Sequence, residues 1–248
     1  MQNFTTASLR GHRNLEEQIL QLQNYINSSN YTIAITGAGI SMSAGIMDFA
    51  HMNFPLVLQM SSVVVLKSTP NHYYNLARKA FLNAMFENGP SIAHRKLAEY
   101  ERRDMVQGII TTNIDCLHSL AGSEKVAEIQ GSFRFNKCLK CGQDYNDVQI
   151  WNKGKAPRCE RCGGVIGAFP VYKHIGLLED EVRKARCFAA QAELVIIIGA
   201  QGSYGGVYFP YIRSGAKIIQ INPKATQFDD MAVLNIRKRA DEVLDLLK

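Results

Sequence analysis

The chain has 248 residues, of which 46% are hydrophobic and 20% are charged, and its formal net charge is +6. This is the composition of an ordinary globular protein that can bury its own core without disulfides, and the six cysteines therefore point to metal or thiol chemistry. The basic residues are scattered, which favours solvated helix faces over a nucleic-acid tract. Residues 1–13 contain no apolar h-region and no apolar stretch is of membrane length, so we expect a cytoplasmic protein without a nucleic-acid or membrane partner.

The beginning of the chain predicts a helix, a strand and a glycine turn. Apolar residues recur at helical spacing over residues 14–27. A β-branched run at 31–36 then ends in Gly37-Ala38-Gly39. Further strands are predicted at 105–112, 192–198 and 216–221, and further helices at 71–86, 92–103, 179–191 and 237–247.

The predicted strands are apolar throughout and alternate with helices. Strands of this kind are typical of a parallel sheet covered by helices on both faces. The sequence therefore predicts an α/β fold with a Rossmann-like, doubly wound parallel sheet. Residues 46–70 give mixed loop and helix signals. Residues 136–167 are poor in apolar residues, which favours an inserted module over sheet or helix.

Four cysteines in paired spacing predict a zinc site in that module. The ligands are Cys138, Cys141, Cys159 and Cys162. A glycine, Gly142 or Gly163, follows each pair and lets the chain turn tightly. Four thiolates fill a tetrahedral shell, so we expect a structural site, with unconnected thiols or two redox pairs as the alternatives. Cys116 and Cys187 lack such spacing, and we expect both to be buried apolar residues.

The glycine turn fits a phosphate-binding loop at a helix N-terminus. The third glycine of an ordinary dinucleotide motif is absent, because Met42 stands there and the next glycine is Gly45. Taken alone, the turn fits a plain tight turn equally well.

Further motifs resemble those of the sirtuin family and follow the family order. They are GAGIS at 37–41, AGIMDF at 44–49, TTNIDCLH at 111–118, EIQGS at 128–132, GAQ at 199–201, IN at 221–222 followed by Thr226, and RADEV at 239–243. The resemblance covers residues 31–247. It implies an NAD-binding Rossmann-like domain (1–45, 105–135 and 168–248), a cofactor loop and helical insertion (46–104) and a zinc-binding module (136–167).

The resemblance also implies a set of site residues. Asn113 and Asp115 match residues around the ribose and the nicotinamide amide, and with Gln130 they occupy the catalytic positions. The cofactor-binding positions are Gly37, Ala38, Gly39, Ser41, Asp48, Phe49, Asn113, Asp115, Gln130, Gly199, Ala200, Gln201 and Asn222. A helix cap for Asn113 and Asp115, and core packing for Phe49, remain open as alternatives.

Gln130 departs from the deacylase pattern, in which a histidine at this position is the general base. An amide cannot take up a proton near pH 7. Asn113 together with Gln130 resembles the macrodomain-linked (class M) sirtuins, whose activity is protein mono-ADP-ribosylation. That resemblance implies a carboxylate acceptor, a lipoylated glycine-cleavage-H-like carrier protein as target, and a macrodomain hydrolase that reverses the modification.

The acyl-lysine channel departs from the family as well. Residues 170–177 take the place of a substrate-binding strand, and Tyr172 and Lys173 replace two of its valines. A lysine beside an apolar tunnel is costly, which indicates that the tunnel no longer binds acyl-lysine. Met47 and Ala50 replace a proline and an arginine near the nicotinamide pocket.

Three functions follow from these observations. The first is an NAD-dependent protein ADP-ribosyltransferase, with zinc as a structural ion. The second is a divergent deacylase in which His118, His174 or a water replaces the missing base. The third is an NAD sensor, or an NAD hydrolase with water as the acceptor.

Overall fold

The computed structural model describes residues 6–46, 54–173, 176–202 and 207–248. Within these ranges the strands are β1 (Thr32–Thr36), β2 (Gly108–Thr111), β3 (Val126–Glu128), β4 (Phe135–Cys138), β5 (Asp144–Asn146), β6 (Ile166–Ala168), β7 (Leu194–Ile198), β8 (Lys217–Ile221) and β9 (Leu234–Ile236). The α-helices are α1 (Thr6–Asn27), α2 (Phe54–Met60), α3 (Val63–Ser68), α4 (Pro70–Ala77), α5 (Ile92–Arg102), α6 (Leu117–Leu120), α7 (Phe169–Tyr172), α8 (Glu179–Gln191) and α9 (Ala240–Leu244). No helix in these ranges is both long and apolar enough to cross a membrane.

Six parallel strands form the main sheet in the order β3-β2-β1-β7-β8-β9. The strand order reverses beside β1, which is the arrangement of a doubly wound sheet. Every residue of β1, β2 and β7 is buried, because helices cover both faces. The predicted Rossmann-like α/β fold is confirmed.

Alternate residues of the central strands enter two separate cores. Ala34 and Ile196 pack with residues of α1, α5 and α9 on one face of the sheet. Ile33 and Ile197 pack with residues of α8 on the other face. The period of two along each strand therefore explains why the strands read as continuously apolar in the sequence.

A third core joins the helical segment to the cysteine-rich module. Trp151 is buried at its centre, 5.0 Å from the ring of Phe133 and 6.4 Å from that of Tyr73. The indole Nε1 of Trp151 donates to Oδ1 of Asn136 at 2.8 Å, which satisfies the buried polar atom of the tryptophan. This core also contains Cys138, so the metal-binding cysteines and the helices share one hydrophobic cluster.

The predicted helix at 71–86 starts as α4 and continues with π-helical hydrogen bonding over Arg78–Leu82 and Ala84–Asn88. It ends at Gly89, whose φ of 68° lies in the left-handed region that glycine adopts at low cost. Residues 46–70, predicted as loop and helix, contain α2 and α3 in their described part.

Some expectations were wrong. Residues 136–167 contain strands: β4 pairs antiparallel with β5 and β6 in a three-stranded sheet. Residues 170–177 do not open as a strand, because Pro170 sits in the first turn of the short helix α7. The last helix begins at Ala240 rather than 237. Cys187 is exposed on α8, whereas Cys116 is buried as expected.

Candidate active site and zinc centre

The carboxyl ends of the parallel strands bring the expected site residues to one edge of the main sheet. Gly37 follows β1 and Gly199 follows the neighbouring β7, on the two sides of the point where the strand order reverses. Open α/β sheets bind their ligands in the crevice at such a point. The backbone N–H of Gly39 donates to the carbonyl oxygen of Gly199 at 2.9 Å, which holds the two turns together.

The two turns touch so closely that side chains are excluded. A Cβ on Gly39 would lie 2.7 Å from Cα of Gly199, and one on Gly37 would lie 2.8 Å from Cα of Ala200. Gly199 also has a φ of 60°. Bare backbone at the edge of a doubly wound sheet suits the close approach of a pyrophosphate, and these residues therefore fit NAD.

Asn113 and Asp115, which follow β2, meet the glycine turn through Ser41. Nδ2 of Asn113 donates to the carbonyl oxygen of Gly37 and to Oγ of Ser41, both at 3.1 Å. The Ser41 hydroxyl donates to Oδ2 of Asp115 at 2.7 Å. Oδ1 of Asp115 accepts the backbone N–H of Leu117, the first residue of the short helix α6, at 3.0 Å.

The carboxyl of Asp115 is buried beside Ser41 and the start of α6. Burial raises the pKa of Asp115, and the hydrogen bonds from Ser41 and from the backbone of Leu117 lower it in part. Asp115 therefore lies in an environment where its charge depends on its hydrogen-bond partners.

Two histidines lie behind this cluster. His94 is fully buried on α5, with Nδ1 2.9 Å from Oγ of Ser91 and Nε2 3.5 Å from Oγ of Ser41. His118 is buried 4.7 Å from the His94 ring, and its Nε2 lies 2.8 Å from Oγ1 of Thr36. Burial lowers the pKa of His94 to about 3 and that of His118 well below its usual range, so both rings are neutral at pH 7.

Gln130 lies on a tightly held loop after β3 and is 6% exposed. Gly131 has a φ of 63°, and a Cβ there would lie 2.5 Å from the ring of Phe169. The loop is closed by an ion pair at 3.3 Å between the buried carboxylate of Glu128 and the guanidinium of Arg134, whose side chain is 35% exposed. Burial raises the pKa of Glu128 to about 7, although Arg134 opposes this shift.

The remaining cofactor positions divide into two groups. Asn222 follows β8, is buried, and donates from Nδ2 to the carbonyl oxygen of Ala200 at 3.3 Å, whereas Gln201 is exposed. This places Ala200 and Asn222 in one crevice with the glycine turns. Asp48 and Phe49 lie outside the described residues, as do Met47, Ala50 and His174.

The four predicted metal ligands form one cluster. Their Sγ atoms all lie within 4.8 Å of one another, and the closest pairs, Cys138–Cys162 and Cys141–Cys159, are 3.5 and 3.6 Å apart. Thiolates bound at ~2.3 Å to a tetrahedral ion have edges of about 3.8 Å, so the cluster fits zinc. The Tyr145 hydroxyl donates to Sγ of Cys159 at 3.1 Å and supports that ligand from outside.

The cysteine turns contain glycines where the geometry requires them. Gly142 and Gly163 have φ values of 75° and 68°. A Cβ on Gly164 would lie 2.8 Å from Sγ of Cys138. The cluster therefore has no room for a larger residue beside the sulfurs, and four thiolates leave no open position for a substrate.

Comparison with known proteins identifies the family. The model of the Sir2 family matches residues 37–204. The chain belongs to the Sir2 family, the sirtuins. NAD-dependent protein deacetylase 1 of Pyrobaculum aerophilum is 34% identical over 239 residues, which are 93% of this chain and 94% of the relative. The NAD-dependent protein deacetylase of Thermotoga maritima is 33% identical and covers 84% of this chain and 88% of its own.

Solved sirtuin structures agree with the fold. A structure concerned with sirtuin substrate affinity has a TM-score of 0.78 at 29% identity and covers 91% of this chain and 96% of its own. A structure of Sir2 with a p53 peptide and NAD+ has a TM-score of 0.73 at 30% identity and covers 91% of this chain and 95% of its own. Sirtuins use NAD, and the cysteine cluster of this sirtuin fits the structural zinc site that the sequence predicts.

Sequence reasoning missed two groups in this sirtuin. Neither His94 nor the pair of Glu128 and Arg134 was singled out from the sequence. The signal for His94 was its place between Ala93 and Leu97, on the apolar face of a predicted helix. A polar residue on such a face needs a buried partner.

Proposed function

We propose that this sirtuin is an NAD-dependent protein mono-ADP-ribosyltransferase of the macrodomain-linked class. The observation that carries the proposal is the buried amide of Gln130 at the crevice edge of the sheet, where the resemblance implies the family's general base. Its amide can orient or solvate a ligand but cannot accept a proton near pH 7. A reaction that needs no deprotonation suits such a site.

Neither buried histidine replaces the missing base. His94 and His118 are both enclosed, and a lowered pKa makes each a weak base. The pKa of Glu128, about 7, would suit a base, but its carboxylate is 2% exposed and is held by Arg134. These observations support transfer to an acceptor that is already ionised.

The residues around the crevice then have defined roles. NAD supplies an ADP-ribosyl group, whose bond to nicotinamide breaks as a bond to the acceptor carboxylate forms. Asn113 and Gln130 orient the ribose, and Asp115 orients the nicotinamide amide. A side-chain carboxylate of the acceptor is ionised well above its pKa of ~4, so it attacks without a base. The product is an ester of ADP-ribose on a protein.

The substrate in this proposal is a protein. The solved relative with a p53 peptide and another with a propionylated peptide show sirtuins that bind peptides, which supports a protein substrate here. We propose a lipoylated glycine-cleavage-H-like carrier as the target and a macrodomain hydrolase as the enzyme that reverses the modification. The division of the chain into three domains, set out from the sequence, is part of the same proposal.

A second candidate function is protein-lysine deacylation. It is favoured by the relatives, since those reported above are named NAD-dependent protein deacetylases. It requires a base other than Gln130, and His174 or a water would have to supply it.

One incubation distinguishes these functions. The purified protein is given NAD, an acetyl-lysine peptide, and a lipoylated carrier protein with its unlipoylated control, while free nicotinamide and intact protein masses are followed. The proposal expects one ADP-ribose on the lipoylated carrier and an unchanged peptide. Loss of the acetyl group with formation of O-acetyl-ADP-ribose would establish the deacylase instead. Nicotinamide without either product indicates a hydrolase, and none of these products indicates an NAD sensor.

A further inference from the structure

The hydrogen-bond directions around His94 are assigned from the other partners of Ser91 and Ser41. The Ser91 hydroxyl has one hydrogen and donates it to the carbonyl oxygen of Ile40 at 3.3 Å. With that hydrogen given to the carbonyl oxygen, we assign Ser91 as the acceptor at its 2.9 Å contact with Nδ1 of His94, and the ring hydrogen to Nδ1. A neutral ring with this tautomer presents a bare lone pair at Nε2.

That lone pair faces a hydroxyl whose hydrogen is already used. Ser41 donates to Oδ2 of Asp115 at 2.7 Å and accepts from Nδ2 of Asn113 at 3.1 Å. Its contact with Nε2 of His94 is 3.5 Å, which is long for a hydrogen bond, as expected when both atoms present lone pairs. His94 is thus an acceptor without a donor while Asp115 is ionised.

Protonation of Asp115 supplies the missing donor. A proton taken from water onto Oδ2 of Asp115 reverses the direction of one bond, so that Oδ2–H donates to Oγ of Ser41. The Ser41 hydroxyl then turns its own hydrogen to Nε2 of His94, while Asn113 still donates to the second lone pair of Ser41. Each of these donors and acceptors is satisfied in this second arrangement, and no covalent bond to carbon changes.

We infer that His94 is a positioning residue of this site. Its Nε2 accepts a hydrogen bond from Ser41 only when Asp115 is protonated, so rotation of the Ser41 hydroxyl lets the buried Asp115 change between carboxylate and carboxylic acid. The consequence for the site is a change of one charge with little movement of heavy atoms. NAD should bind less tightly as Asp115 is protonated, because the cationic nicotinamide ring loses its counter-charge. This consequence rests on the proposed role of Asp115, whereas the switch itself does not.

Other titratable groups face the cluster from every side and belong in the experiment. Glu128 and its partner Arg134 lie toward β3, and Asp115 contributes to the raised pKa of Glu128 and of Cys116. Arg95 on α5 acts on His94, and His94 acts on His118. Glu128 titrates closest to neutrality, so the titration is repeated in a Glu128→Gln background.

The test is a titration of Asp115 in the NAD-free, zinc-loaded protein. Carboxyl chemical shifts of 13C-labelled aspartate are followed by NMR against pH, and Asp115 is assigned by its loss in Asp115→Asn. His94→Phe keeps a ring but removes the acceptor, so the Asp115 midpoint should fall by roughly 0.4 to 1 pH unit, the effect of one hydrogen bond. His94→Gln supplies an amide oxygen in its place and should keep the midpoint near that of the wild type.

Two further variants keep the inference testable if His94→Phe does not fold. Ser91→Ala removes the group that fixes the ring tautomer, so Nε2 can carry the hydrogen and donate to Ser41, and the Asp115 midpoint should again fall. Thr36→Val removes the partner of His118 and leaves the cluster intact, so the midpoint should not move. Unchanged midpoints in His94→Phe and Ser91→Ala, or an equal fall in His94→Gln, would overturn the inference.

The consequence for NAD is measured separately. Calorimetry measures NAD affinity against pH. The pH at which this affinity falls on acidification should be lower in Ser91→Ala, by the same amount as the Asp115 midpoint. If the midpoint moves and NAD binding does not, the switch stands and the proposed role of Asp115 at the nicotinamide end fails.

Discussion

The side-chain amide of Asn113 is oriented by the protein itself. Both hydrogens of Nδ2 are used, one by the carbonyl oxygen of Gly37 and one by Ser41, which leaves Oδ1 as the atom available to a ligand. Groups that are held in place before the substrate arrives contribute most to catalysis, because no energy is spent on turning them during the reaction.

We expect Asn113→Ala to lower the rate of nicotinamide release by about 100-fold or more, the effect of removing one preorganised polar group. Asn83→Ala is the matched control, since Asn83 is also a hydrogen-bonded amide but contacts Arg78 in the helical segment. Single-turnover nicotinamide release measures both variants. Full release, or full protein labelling, in Asn113→Ala would contradict the assignment.

The protonation state of the buried Glu128 makes the stability of the protein depend on pH. Its pKa is raised from 4.5 to about 7 in the folded state, so the folded protein holds this proton more tightly than the unfolded chain does. The stabilisation is fully present below pH 4.5 and is lost as the pH rises through 7. The total is about 3 kcal/mol.

Glu128→Gln stays neutral and should not show this loss. The stability of the variant relative to the wild type is expected to rise by up to about 3 kcal/mol between pH 4.5 and 8, even though the bond to Arg134 is weakened. Urea unfolding at several pH values measures the difference. Parallel stability curves for the two proteins would show that Glu128 does not titrate near neutrality.

At the scale of elements, the contact between the β1 and β7 turns depends on the absence of side chains. Gly199→Ala introduces a Cβ 2.6 Å from the carbonyl carbon of Gly39 at a φ of 60°. Gly215→Ala meets no atom within 4 Å at a φ of 83°, so it isolates the cost of the left-handed backbone, about 1–2 kcal/mol. We expect Gly199→Ala to lose more stability than this control and to lose NAD binding, as measured by calorimetry. Equal effects would mean that the turns can separate freely.

Elements with a strong local signal could be predicted from the sequence. The apolar runs of β1, β7 and β8 were found, because both faces of these strands are buried. Strands β3 and β9 have three residues each, too few for a periodic pattern to appear. The strands of the cysteine-rich module were missed because they have only three or four residues each, too few for a periodic pattern to appear.

The site shows the same division between local and distant information. Asn113, Asp115 and Gln130 were named from motifs, and the sheet brings all three to one edge. His94 could not be placed, because its contact with Ser41 joins parts of the chain 53 residues apart and exists only after α5 packs on the sheet. The residue pattern within a segment predicts the secondary structure and motifs of that segment, whereas contacts between distant segments depend on tertiary packing.

At the scale of the whole molecule, the zinc centre and the helical segment share one core. The cluster around Trp151 contains Cys138 and Cys159 together with Leu66 of α3 and Tyr73 of α4. The two cores beside the main sheet contain none of these residues. Loss of the metal should therefore spread beyond the cysteine turns and stop before the sheet.

We expect Cys141→Ser to lose zinc and to open residues 54–88 and 135–171 together, while β1 and β7 stay protected. Structural zinc contributes to folding directly, so removal of one ligand should also lower the melting temperature. Hydrogen exchange maps the opened region, and fluorescence of Trp151, the single tryptophan, should shift to longer wavelength as its packing is lost. Cys187→Ser, another exposed cysteine, should retain zinc and native exchange. Exchange confined to residues 138–163 would show that the helical segment is stable without the metal.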